Sequence, residues 1–279
     1  MNCSRLSELE TLAVSLVKGA TRELYLTPKP GLVDRADNGS HPDLSVPIME
    51  RSIGYVSDYL FEIVNSLING EPFSCQKAIG MRADQRLLDR LGTNTHKGFI
   101  FLSGMLLIAR WHAASSDEPS IRATLSSLSA SFFEAGEEQP TNGQQARKRY
   151  NAGGIVLESI NGFPSVFDEA VPAFRKAMLE HGNVEMASFS MLARLMQTVE
   201  DTTTLHRAGS EGLVRVKRDG RHLEKILASR DDYIAYLGEL NRDYMRVNMT
   251  IGGVADMLGV SYGYLIACGE LADEARAIV

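Results

Sequence analysis

Cysteine is scarce in this 279-residue chain: Cys3, Cys75 and Cys268 form no Cys-x-x-Cys pair and cannot all pair with one another. A disulfide framework is thereby excluded, and three separate thiols fit a reducing compartment. Long apolar runs are missing too. The longest uncharged apolar stretch, Gly98 to Ala109, falls short of the roughly 20 residues that span a bilayer. The opening residues MNCSRLSELETLAV hold no apolar run resembling a signal-peptide core. These absences predict a cytoplasmic protein with no membrane partner. Nor is there a basic surplus: the net charge of −6 argues against sequence-independent nucleic-acid binding, which needs many Lys and Arg contacts to phosphate.

Several catalytic signatures are also absent. No G-x-x-x-x-G-K-[ST] loop, no G-x-G-x-x-G after a strand and no His-Glu-x-x-His or His-Asp pair occurs. That removes P-loop and dinucleotide folds, zinc proteases and metal phosphohydrolases of the HD type. What remains is ordinary in composition, with 44% hydrophobic and 7% aromatic residues, and its length suits one large core.

Strand signals are sparse, the only alternating β-branched stretch being GLVRVKRDG, a weak candidate hairpin. Helical periodicity dominates. From Glu8 to Leu26 the residues Leu9, Leu12, Ala13, Leu16, Val17, Ala20 and Leu24 recur at three- and four-residue steps. A second helix is expected from Ile48 to Ile68. GFIFLSGMLLIARWHA is apolar nearly all round, the mark of a buried central helix. Further helices are expected at about 121–136, 143–151, 168–181, 185–205, 221–229, 231–246 and 251–277. No repeat or linker divides the chain, so the reading is one all-α domain over residues 1–279.

Four polar, glycine-bearing segments interrupt the helices and hold most of the chemistry. The first is LTPKPGLVDRADNGSHPDLS, in which Pro28 and Pro30 stop the first helix and stiffen a loop rich in charge. The second, GTNTHKG, puts Asn94, His96 and Lys97 just before the apolar helix, where free N–H groups favour an anion and Thr93 or Thr95 can cap. In the third, VEDTTTLHRAGSEGL, Glu200 and Asp201 are read as ending a helix. Carboxylates are unfavourable there unless a cation compensates, which makes this pair the candidate ligands of Mg²⁺. The fourth, NMTIGGVADML, has Gly252 and Gly253 at a helix start, permitting close backbone approach to a ligand or to another helix.

In this order the segments LTPKPGLVDRADNGSHPDL, GTNTHKGFIF, EDTTTLHRAGSEGL and NMTIGGVADML resemble the triphosphoribosyl-dephospho-CoA synthase family, from about Glu23 to Leu258. The resemblance implies an all-α cytoplasmic transferase. Such an enzyme moves the 5-triphosphoribosyl unit of ATP to the 2′-hydroxyl of 3′-dephospho-CoA and releases adenine. The product is a prosthetic-group precursor for citrate lyase or malonate decarboxylase. Breaking the glycosidic bond builds positive charge on the ribose, so carboxylates are needed, and Asp34, Asp37, Asp43 and Asp201 are the candidates. The triphosphate becomes a handle for Lys29, Arg35, Lys97, Arg207 and Mg²⁺, with Asn94, His96, Gly252 and Gly253 beside the nucleotide. ATP and dephospho-CoA, or a related acceptor, are the implied partners, and a homodimer is compatible with them.

The chain departs from the family pattern at identifiable places. Val156 stands where an arginine is expected before Gly162-Phe163-Pro164, Thr203 replaces an asparagine, Ala208 a glycine and Val247 an arginine. A different acceptor, a non-catalytic nucleotide-binding role and a helical Mg²⁺-dependent hydrolase are the competing readings.

Overall fold

The computed structural model describes residues 3–93, 95–134 and 141–272. Helices α1 (Cys3–Tyr25), α2 (Val46–Ile68), α3 (Phe73–Leu91), α4 (Lys97–His112), α5 (Glu118–Glu134), α6 (Asn142–Tyr150) and α7 (Gly154–Ile160) make the first half. A π-helical turn (Ser165–Ala170) then leads into α8 (Val171–His181), α9 (Val184–Thr198), α10 (Thr202–Ser229), α11 (Tyr233–Arg246) and α12 (Gly252–Ala267). No strand occurs among the described residues, and one apolar core runs from Leu9 to Leu271. The fold is all-α, as the periodicity requires.

Helix α4 lies at the centre, buried continuously from Leu102 to Arg110. It packs against α1, α2, α5 and α12. Helix α1 turns the stripe Leu9, Leu12, Ala13, Leu16, Ala20 and Leu24 inward, and its principal neighbour is α12. Glycines make that contact unusually close. A β-carbon on Gly19 would fall 2.3 Å from the Gly259 carbonyl oxygen, and one on Gly263 would fall 2.8 Å from Leu16 Cα. The position for a β-carbon on Gly259 lies 3.7 Å from Ala20 Cα. Leu16 thus faces Gly263 and Ala20 faces Gly259, an antiparallel register that sets Glu23 opposite Asp256 one turn further on.

Several expectations need correction. GLVRVKRDG is not a hairpin but the middle of α10, its Val216 facing the core while Val214 stays exposed. Two basic and two β-branched residues alternate there by chance of an amphipathic helix, whose buried face is Val216, Asp219, Gly220 and Leu223. The expected 185–205 helix is two helices, because α9 ends at Thr198 and Asp201 starts α10. Helix α10 itself bends at Gly209, whose backbone leaves the helical region at φ 67°. Helices α3 and α7 add to the set that the periodicity predicts. The stripe of α3 is narrow, Ile79, Ala83 and Leu87 being its buried apolar residues, and α7 spans just 7 residues.

Candidate active site

The opening loop is built by its own carboxylates. Asp34 accepts the Lys29 N–H on Oδ2 (2.8 Å) and the Ala36 and Asp37 N–H groups on Oδ1 (2.7 and 3.3 Å). Asp37 accepts the Gly39 N–H at 2.7 Å, while its Oδ2 accepts from Asn241 Nδ2 at 2.9 Å. The same Asn241 takes the Gly31 N–H on its Oδ1 at 2.8 Å, so α11 clamps the loop at two points. Gly31 adopts φ +67°, and a β-carbon there would meet the Met249 carbonyl oxygen at 2.3 Å. The loop therefore lies directly on the segment leading into α12.

Arg207 and His41 complete that junction. The Arg207 guanidinium donates to the Ser40 carbonyl (2.7 Å), to Asn248 Oδ1 (3.2 Å) and to His41 Nδ1 (3.3 Å). Arginine is always a donor, so His41 Nδ1 accepts and its Nε2–H donates to Thr250 Oγ1 at 2.9 Å. Burial and the neighbouring Arg207 hold the His41 imidazole neutral, its pKa pushed down to about 4. Thr204 Oγ1 donates to the Thr250 carbonyl at 2.7 Å. The first, third and fourth polar segments are thus one hydrogen-bonded unit.

Asp201 is fully buried and accepts three backbone N–H groups at 2.9 Å, those of Thr203 and Thr204 on Oδ1 and that of Val254 on Oδ2. It caps the N-terminus of α10, where a carboxylate is favoured by the helix dipole, and it also holds the start of α12. The reading of Glu200 and Asp201 as acids at a helix C-terminus has the dipole reversed. Glu200 is exposed and accepts the Gly153 N–H at 2.8 Å, so the two carboxylates serve different backbones. No group of three or more His, Cys, Asp or Glu suited to a metal occurs among the described residues. Gly252 and Gly253 approach protein: their β-carbon positions lie 3.1 Å from Thr203 Oγ1 and 3.1 Å from Asp201 Oδ2.

The cations expected on one triphosphate take separate places. Lys29 is wholly buried, its ammonium paired with Glu23 Oε1 at 2.6 Å. Arg35 is exposed, with its guanidinium 4.4 Å from the centre of the Tyr25 ring. Lys97 opens α4 but turns outward to Asp84 on α3 at 3.3 Å. Asp43 is exposed and accepts from Thr93 Oγ1 at 2.9 Å. Neither threonine caps α4: its cap residue is His96, and Thr95 instead bonds Ser52. Asn94 lies outside the described residues.

His96 carries the second segment into the interior. It is 5% exposed, and its Nδ1 lies 2.6 Å from Ser52 Oγ, while its Nε2 finds no hydrogen-bond partner among the described residues. Burial, with help from Lys29, lowers its pKa to about 4. The ring lines a partly open cavity of about 70 Å³ bounded by α1, α4, α12 and the opening loop. Glu23, Val33, His41, Phe99, Gly252 and Asp256 share that lining. Three of the four polar segments therefore meet at one cavity, and the remaining one is tied to it through Arg207 and Asp201.

Residues 9–271 match the family model described as ATP:dephospho-CoA triphosphoribosyl transferase. The chain belongs to this family. Its relatives include a 2-(5''-triphosphoribosyl)-3'-dephosphocoenzyme-A synthase of Pectobacterium atrosepticum, 31% identical over 257 residues, which covers 87% of this chain and 84% of the relative. A probable synthase of the same name from Pseudomonas putida is 29% identical over 266 residues, covering 91% and 94%. A further probable one from Azotobacter vinelandii is 31% identical over 273 residues, covering 92% and 91%. No solved structure matches the chain. No helix among the described residues is long and apolar enough to cross a membrane.

Within the family frame, Glu23 and Asp256 are the cavity carboxyls to which the sequence reading gives no role. A signal for both exists. Asp256 is the single Asp, Glu, Lys or Arg in α12, and Glu23 interrupts the apolar stripe of α1. Burial pushes the Asp256 carboxyl well up, aided by the nearby charges of Asp201 and Glu23 and opposed by the N–H of Phe99. A β-carbon on Gly98 would fall 2.0 Å from Asp256 Oδ2, so the glycine at the start of α4 gives this carboxyl its place.

Proposed function

We propose that the chain transfers the 5-triphosphoribosyl group of ATP to the 2′-hydroxyl of 3′-dephospho-CoA and releases adenine. The observation that supports this reading most is that three of the four segments resembling the family converge on one partly buried, carboxyl-bearing cavity. Mg²⁺ enters as the counter-ion of the triphosphate, with no protein ligand assigned to it. Asp43, exposed beside His41 and Leu44, is the carboxylate we assign to the acceptor's hydroxyl proton. The family's role in supplying the prosthetic group of citrate lyase or malonate decarboxylase is proposed for the product, and a cytoplasmic location with it.

Chromatography of a reaction with ATP and Mg²⁺, with and without dephospho-CoA, tests the assignment. Free adenine should appear in step with consumption of the acceptor. Production of ADP or AMP as the sole nucleotide product would overturn it. A second reading, a different acceptor, is favoured by Val156, the residue replacing the family arginine. It lines an open groove with Gln144, Arg147, Asn151 and Leu157. Adenine release with another alcohol but not with dephospho-CoA would select that reading.

A further inference from the structure

Adenine is a poor leaving group as an anion, so cleavage of the bond between ribose C1′ and adenine N9 is accelerated by a proton delivered to the ring. The donor must hold its proton at neutral pH beside a place the base can reach. Glu23 is committed to Lys29 at 2.6 Å. Asp34 and Asp201 spend both oxygens on backbone N–H groups. Asp256 differs from all of these. It lines the cavity, its backbone contact is the Phe99 N–H, and the antiparallel register of α1 and α12 puts Glu23 opposite it. A carboxyl facing a second carboxyl in low dielectric keeps its proton, the arrangement by which paired acids are driven to different roles.

The cavity suits the base better than the phosphates. No Lys or Arg lines it to hold a triphosphate, whereas Val33, Leu32, Leu44, Met49 and Phe99 offer apolar walls to a neutral ring. His96 supplies an independent sign of a ligand, since its Nε2 is buried without a partner among the described residues at this same wall. With about 70 Å³ behind its open side, the cavity takes the edge of a purine and leaves ribose and triphosphate outside.

Building on the function proposed above, we propose that this cavity receives the adenine edge of ATP and that Asp256 is the catalytic acid that protonates the departing ring. In this step the C1′–N9 pair of electrons goes to the base, the proton on Asp256 goes to a ring nitrogen, and the acceptor oxygen forms the new bond to C1′. The proton lost by the acceptor hydroxyl returns through solvent to Asp256, so the cycle is neutral and needs no other reactant.

Turnover of ATP is to be compared with that of N7-methyl-ATP, whose base already carries a positive charge and leaves without a proton. The purified full chain is assayed with dephospho-CoA as wild type, Asp256→Asn and Gly98→Ala. Asp256→Asn keeps the shape and should lower kcat on ATP by about 10²–10⁴-fold with little change in KM, while turnover of N7-methyl-ATP stays near wild type. Gly98→Ala, whose β-carbon displaces the carboxyl, should show the same selective loss. Equal losses on both substrates, or near-wild-type turnover of ATP by Asp256→Asn, would overturn the assignment. A wild-type enzyme that releases no adenine from ATP would overturn the underlying function instead, an outcome visible before any variant is measured.

Discussion

Replacing Asp201 by asparagine separates a chemical role from a structural one. The side chain accepts three buried N–H groups with two oxygens, and an amide has one acceptor to offer. If the amide oxygen stays on Thr203 and Thr204, the cap of α10 survives and the NH₂ group confronts the Val254 N–H. That N–H is then buried and unsatisfied, at a cost of about 1–3 kcal/mol. In a domain of this size about 1 kcal/mol moves the melting temperature by roughly 2–4 °C, so a fall of about 3–10 °C is expected. Asp201→Ala strands all three N–H groups and should cost more, about 3–5 kcal/mol. Thermal unfolding by circular dichroism, with turnover measured on the folded fraction, is the assay. An unchanged melting temperature combined with a hundredfold or greater loss of turnover would refute the capping argument and return Asp201 to the reacting centre.

Two further outcomes follow from the same geometry. The His96 pKa is depressed from 6.5 to about 4, so its contribution to stability is complete above pH 6.5 and is lost as the pH falls through about 4. At pH 5 the loss is about 2 kcal/mol relative to a neutral replacement. Urea midpoints of the wild type and His96→Gln at pH 7 and pH 5 measure it as a difference, which cancels the opposite trend from Asp256. The same pH dependence in both proteins would contradict it. Gly263→Ala drives a β-carbon toward Leu16 Cα at the contact of α1 with α12. The overpacking should cost about 1–3 kcal/mol, and an unchanged melting temperature would mean that the helices can separate there freely.

The sequence made the helical class plain, because apolar residues at three- and four-residue steps persist through α1, α2 and α11 and strands would need a different period. It misjudged places where a polar side chain bonds backbone. Asp201-Thr202-Thr203-Thr204 carries the signature of a helix start, yet it follows an amphipathic helix so closely that the two read as one. The charged residues of the opening loop were read toward a ligand, whereas Asp34 and Asp37 hold the loop itself. Lys29 looked like a phosphate ligand for the same reason, since no local pattern reveals that Glu23, one helical turn and a bend away, lies 2.6 Å from it. Arg207 does meet the opening loop at Ser40 and His41, and that contact depends on pairings separated by more than 160 residues.

What the periodicity could not show is why α12 tolerates Asp256. Helix-breaking tendencies accumulate around this one residue: Gly19 and Gly263 bring α1 against α12, Gly259 leaves room for Ala20 and Phe99, and Gly98 clears the space occupied by its carboxyl. Each glycine within a helix costs roughly 0.5–1 kcal/mol relative to alanine. The contact then sets a second carboxyl, Glu23, opposite Asp256 in a poorly solvated space, which costs more again. Apolar residues at 23 and 256 with alanines along the contact would give a more stable pair of helices at slightly wider spacing. A core that instead concentrates unfavourable choices on one carboxyl is organised around that carboxyl's chemistry, because stability surrendered locally is the usual mark of a working site. Lys29 fits the same logic. Its buried ammonium is paired to Glu23, so the carboxylate that adds to the effect of burial and of Asp201 on Asp256 is itself held in place.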